Sequence, residues 1–63
     1  MTPAEQEAVR LLDEARGQLG RVQQNFASLV IAMGQEAAGE ALDQGNLSVQ
    51  LYEEQLRNAR ALA

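Results

Sequence analysis

Eight apolar side chains, Ala8, Leu12, Ala15, Leu19, Val22, Phe26, Leu29 and Met33, follow one another at intervals of 4, 3, 4, 3, 4, 3 and 4 residues. That alternation is the period of a helix whose one seam stays against a neighbouring helix over several turns. It constrains this chain more than any other pattern does. The seam begins small, with Ala8 and Ala15, and becomes bulkier toward Phe26 and Met33, so a neighbour approaches more closely at the N-terminal end. Within it, the stretch from Phe26 to Met33 is the most apolar in the chain. Leu29, Val30 and Ile31 are consecutive and point in directions about 100° apart, so this segment requires neighbours on more than one side.

Local signals set the boundaries of the predicted helices. Thr2 caps, Pro3 occupies the first helical position where its missing N–H is harmless, and Glu5 falls where a capping box places an acid. Glu5 and Glu7 also suit the positive end of the helix dipole. Gly17 and Gly20 each weaken a helix by about 1 kcal/mol relative to Ala. A turn at 17–20 would make a three-helix bundle monomer with helices near 3–16, 20–43 and 48–62. Against it, the segment holds no Pro, Asn, Asp or Ser, and the periodicity passes straight through Ala15, Leu19 and Val22. One continuous helix is the favoured expectation.

Beyond Met33 the seam would fall on Glu36, Glu40 and Asp43, while the apolar residues move round to Ala37, Ala38, Ala41 and Leu42. The helix therefore bends or breaks at Gly34, or else shows a new face to another neighbour. Asp43-Gln44-Gly45-Asn46 reads as a turn, with Gly45 in the left-handed position and Asn46 or Ser48 capping the next helix. Val49, Tyr52, Leu56, Ala59 and Ala63 then recur at intervals of 3, 4, 3 and 4, flanked by Leu51 and Leu62. Glu53 and Arg57 form a favourable pair four apart, and Arg57 and Arg60 suit a helix C-terminus.

The expected fold is therefore all-α, a single domain over residues 1–63. It is a helical hairpin with a long helix at about 3–43, a turn near 44–47 and a shorter helix at about 48–62. Ala38, Ala41, Leu42, Val49, Tyr52, Leu56 and Ala59 would pack the hairpin. A final helix of roughly 15 residues spans about 22 Å and reaches back only to around Ser28. The seam from Ala8 to Val22 is then left without an intrachain partner, an unusual strip for a soluble protein. A second chain is expected to cover Ala8, Leu12, Ala15, Leu19, Val22, Phe26, Leu29 and Met33 as a self-association seam, giving a dimeric coiled coil or a four-helix-bundle-like assembly. In size and outline the chain resembles the small dimeric four-helix-bundle proteins, which implies the same architecture.

Composition narrows function mostly by exclusion. With 63 residues and no cysteine or histidine, disulfides and the usual zinc sites are unavailable, and oligomerisation is the remaining aid to a marginal core. Lysine is absent as well, so Ser28, Ser48, Thr2 and Tyr52 have no neighbour to activate them, and catalysis is not expected. Glu36, Glu40 and Asp43 share one helical face, but helical di-metal sites also need histidine, so no metal or cofactor is expected. On the predicted helix these acids sit toward its negative end, an unfavourable placement that suggests a docking patch for a basic partner.

Five arginines against nine acids leave a net charge of −4, which disfavours nucleic acid as a partner. Arg10 and Arg21, eleven residues apart on nearly one face, keep open a second possibility, a dimeric nucleic-acid-binding regulator. Gly-x-x-Gly at 17–20 lacks the basic and aromatic surroundings of a nucleic-acid loop. No signal peptide or membrane span is visible, so a cytoplasmic location is expected. The leading expectation is a self-associating, non-enzymatic interaction module that acts as an adaptor, assembly chaperone, scaffold or inhibitor.

Overall fold

The computed structural model describes residues 1–62, and these are all-α: α1 (Pro3–Gln24), α2 (Phe26–Met33) and α3 (Gln35–Leu62). α1 starts as its sequence requires. The Thr2 hydroxyl accepts a hydrogen bond from the Glu5 backbone N–H at 3.2 Å and donates one to the Glu5 carboxylate at 3.4 Å, with Pro3 opening the helix. One of the orphan N–H groups of the first turn is satisfied in this way. α1 then runs through Gly17 and Gly20 without a break. The alternative three-helix bundle with a turn near 17–20 is thereby corrected, because nothing in that segment competes with the helical backbone.

Asn25 (φ −105°, ψ 13°) separates α1 from α2, yet the backbone ladder continues across it. The Asn25 N–H donates to the Arg21 carbonyl at 3.0 Å, and the Leu29 N–H donates to the Asn25 carbonyl at 2.9 Å. The Asn25 side chain also donates to the Arg21 carbonyl at 2.9 Å, a local competition of the kind that bends helices. α1 and α2 thus form one bent arm.

The chain reverses at Gly34. Its φ of +93° and ψ of 158° belong to a region that side-chain-bearing residues avoid, and it is the one positive-φ residue among those described. Its N–H donates to the Val30 carbonyl at 2.9 Å and its carbonyl accepts from the Ala38 N–H at 3.0 Å, so a single residue closes α2 and opens α3. The chain thus breaks at Gly34, one of the two outcomes expected there, but as a full reversal, which corrects the expected helix over 3–43 and the turn near 44–47. Asp43, Gln44, Gly45 and Asn46 lie inside α3, which is 28 residues long.

Gly45 is required there for a different reason. A Cβ on it would lie 3.0 Å from Leu19 Cδ1 and 3.7 Å from Leu19 Cα, so this is a point of close helix approach. Ala38, fully buried, is another small residue on the same side of α3. Counted from Ala38, the positions Leu42, Gly45, Val49, Tyr52, Leu56 and Ala59 continue at intervals of 4, 3, 4, 3, 4 and 3. Gly45 is therefore a member of a second seam and not an interruption of it. Ala63, the last position of that repeat, lies outside the described residues.

A helix of 28 residues spans about 42 Å, enough for α3 to reach back along the whole first arm, and the molecule measures 46 × 14 × 11 Å. Near the open end Ala8, Leu12 and Leu56 form a buried cluster, with Val9, Val49 and Tyr52 packed against it. Arg16 reaches across to Glu53 at 3.3 Å.

Candidate functional site

The residues expected to bind a second chain are largely occupied by the chain itself. Ala8, Leu12 and Ala15 are buried, and Leu19, Val22, Phe26 and Leu29 are half-buried; only Met33, at the reversal, is exposed. The expectation that Ala8 to Val22 has no intrachain partner is corrected, since moving the reversal from 44–47 to Gly34 lengthens the returning helix to cover it. Of the expected hairpin-packing residues, Ala38 and Leu56 are buried, while Ala41, Leu42, Val49, Tyr52 and Ala59 are half-buried.

Glu36, Glu40 and Asp43 are exposed, and Glu36 and Glu40 lie near the opposite end of a helix from the one expected. Because α3 begins at Gln35, Glu36 stands in its first turn and Glu40 follows one turn later, at the positive end of the helix dipole. They favour the start of α3, so their supposed misplacement no longer argues for a docking patch. Among the described residues no group of three or more carboxylates converges as a metal-holding cluster.

Arg10 is tied into its own helix, bonded to Glu7 one turn before it and to Glu14 at 3.2 Å one turn after it. The hydrogen bond and charge of Arg10 hold the Glu7 carboxyl below its ordinary value, and Glu7 in turn raises the guanidinium. Glu53, expected from spacing to pair with Arg57, pairs instead with Arg16 of the other arm. Arg21 stands exposed on α1.

The two broad sides of the hairpin differ chemically. One carries a shallow groove between the arms lined by Leu12, Arg16, Glu53, Leu56, Arg57 and Arg60. The other is lined by Leu11, Glu14, Ala15, Gln18, Ser48 and Tyr52, with its α3 wall uncharged. A third concavity lies at the closed end around Met33, Gly34, Gln35, Glu36, Ala37 and Glu40.

Besides Met1 at the N-terminus, the exposed large apolar residues fall into two sets: Ile31 and Met33 at the closed end, and Leu47, Leu51 and Leu62 on α3. Reading Gly45 as a turn hid the second set. Once α3 is continuous, Leu47 and Leu51 are one turn apart and Leu62 is eleven residues further on, all on nearly one face.

Two helices in contact have one interface, which limits how much either can bury. Five apolar residues are buried among those described, and the largest of them are two leucines. A compact protein of 6.8 kDa exposes about 3,950 Å². This hairpin exposes 4543 Å². No helix among the described residues is long and apolar enough to cross a membrane. Comparison with protein-family models, with curated proteins and with solved structures finds no match to this chain.

Proposed function

We propose that this chain is a non-enzymatic protein–protein interaction module, a helical hairpin that associates with itself and presents a helical face to a partner protein as an adaptor, assembly chaperone, scaffold or inhibitor. The observation that carries this is the surface area. The excess over a compact protein of equal mass is roughly 600 Å², close to the share one partner contributes to the smaller stable interfaces. The half-buried seam residues and the exposed leucines of α3 supply the apolar part of that surface. With neither cysteine nor histidine in the sequence, association is the remaining way for so slight a core to gain stability.

Sedimentation equilibrium over a wide concentration range tests the self-association. A species of twice the chain mass, dissociating on dilution, is the expected result. A monomer at every concentration up to the millimolar range contradicts it. Salt-sensitive binding of RNA or DNA, lost on Arg21→Glu, would favour a nucleic-acid-binding regulator instead.

A further inference from the structure

We infer that the second copy docks on the uncharged flank of α3, along the row that includes Leu51 and Leu62, so that two hairpins make a four-helix bundle. This rests on the self-association proposed above and adds to it which face is used.

The row is defined by its register. One place before the α3 seam positions stand Gln44, Ser48, Leu51, Gln55, Asn58 and Leu62, at intervals of 4, 3, 4, 3 and 4, with no charge among them. One place after the seam stand Asp43, Glu53, Arg57 and Arg60. α3 thus keeps its charges off this flank over its whole length, and its remaining acids, Glu36, Glu40 and Glu54, lie along the ridge opposite the seam. Leu51 and Leu62, 51% and 89% exposed, are the apolar members of this row, and Leu47 stands at its edge, in line with Glu40 and Glu54 seven residues to either side. The groove beside this row, lined by Leu11, Glu14, Ala15, Gln18, Ser48 and Tyr52, gives the surface relief and is charged only at Glu14 on its α1 wall.

The chemistry favours a copy of this chain as the occupant. Each chain carries a net charge of −4, so two copies approach only where their charges stay out of contact. A two-fold axis brings the same patch of both subunits together, and an uncharged row meets itself without juxtaposing like charges. A lipid surface would call for a basic flank, whereas Glu40 and Glu54 flank this row. The dimensions also agree. The broad side of the hairpin, 46 by 14 Å, offers about 600 Å² per copy, the lower range of a stable dimer.

Four proteins measured by sedimentation equilibrium, with helicity followed by circular dichroism, test this: wild type, Leu51→Arg, Leu47→Arg and Ile31→Arg. The last alters an equally apolar and more exposed site, 87% accessible, at the closed end. The expected result is a wild-type dimer whose dissociation constant rises on the order of 100-fold in Leu51→Arg and in Leu47→Arg, with Ile31→Arg unchanged within about 3-fold. Should Leu51→Arg lose helicity as a monomer, Leu47→Arg decides. A wild-type dimer that survives both leucine substitutions, or that Ile31→Arg dissociates, overturns the assignment of the face and leaves self-association standing. A wild type that is monomeric throughout overturns both.

Discussion

Replacing Gly45 distinguishes a close helix contact from a turn. A Cβ at this position meets Leu19 Cδ1 at 3.0 Å, Leu19 Cβ at 3.6 Å and Leu19 Cα at 3.7 Å. In Gly45→Ala, helix propensity gains about 1 kcal/mol. The Leu19 terminal methyl must withdraw by a few tenths of an ångström, an off-rotamer displacement of about 0.5–1.5 kcal/mol. These nearly cancel, so stability should stay within about 1 kcal/mol of wild type. In Gly45→Leu the added carbons run past the flexible methyl into Leu19 Cβ and the α1 backbone. The arms must then separate, at a cost of about 1–3 kcal/mol for overpacking, with further loss along the seam. Removing the obstruction should expose the coupling: Gly45→Ala combined with Leu19→Ala should be more stable than the sum of the two single effects by at least about 0.5 kcal/mol. Urea unfolding followed by circular dichroism, at one fixed protein concentration because association shifts apparent stability, measures all four. If Gly45→Ala is destabilised by well over 1 kcal/mol, Gly45→Leu is no worse, and Leu19→Ala leaves both unchanged, then Gly45 holds a left-handed turn and the account of α3 is wrong.

Gly34 should behave in the opposite way. At φ +93° and ψ 158° an added Cβ meets no neighbouring atom but strains the backbone, so Gly34→Ala should lose about 1–3 kcal/mol in the same unfolding assay. Gly20 lies inside α1 with open space where a Cβ would sit, and Gly20→Ala should raise the thermal midpoint, corresponding to about 1 kcal/mol of helix propensity. The lowered Glu7 value predicts the sign of a pH effect: the Arg10 partnership stabilises fully above the ordinary carboxylate range and is lost as pH falls through the lowered folded value. Thermal midpoints of wild type and Glu7→Gln should therefore converge on acidification, and a gap that widens would contradict the pairing.

The helix start at Thr2 and the seam from Ala8 to Leu29 were legible in the sequence because each rests on local chemistry that tertiary packing did not override. The position of the reversal was not. Asp43-Gln44-Gly45-Asn46 has turn composition, and Gly34 stands in an apolar context with no Asn, Asp or Pro beside it. Glycine serves two purposes, positive φ and close approach, and composition does not separate them. Periodicity separates them here: Ala38, Leu42, Gly45, Val49 and Tyr52 keep the 4-3 alternation through the supposed turn, while the first seam runs into Glu36 and Glu40 after Gly34.

That single displacement carried the functional expectation with it. A returning helix from residue 48 covers half the seam, whereas one from Gln35 covers nearly all of it, so the apolar surface left exposed moves from Leu12, Leu19 and Val22 to Leu47, Leu51 and Leu62 of α3. The exposed Leu51 and Leu62 were visible in the sequence as flanking residues, but their common face with Leu47 follows only from a continuous α3.

The distance between spin labels at Gln6→Cys and Ala61→Cys tests most directly whether the first seam is covered by the chain's own last helix. The natural sequence has no cysteine, both sites are exposed, and dilution with unlabelled protein removes distances between copies. Reversal at Gly34 places residues 6 and 61 side by side at the open end, within about 20 Å including the labels. Reversal near 44–47 would set residue 61 beside residue 30, about 36 Å along the helix from residue 6, and a distance of that size would contradict the hairpin described above.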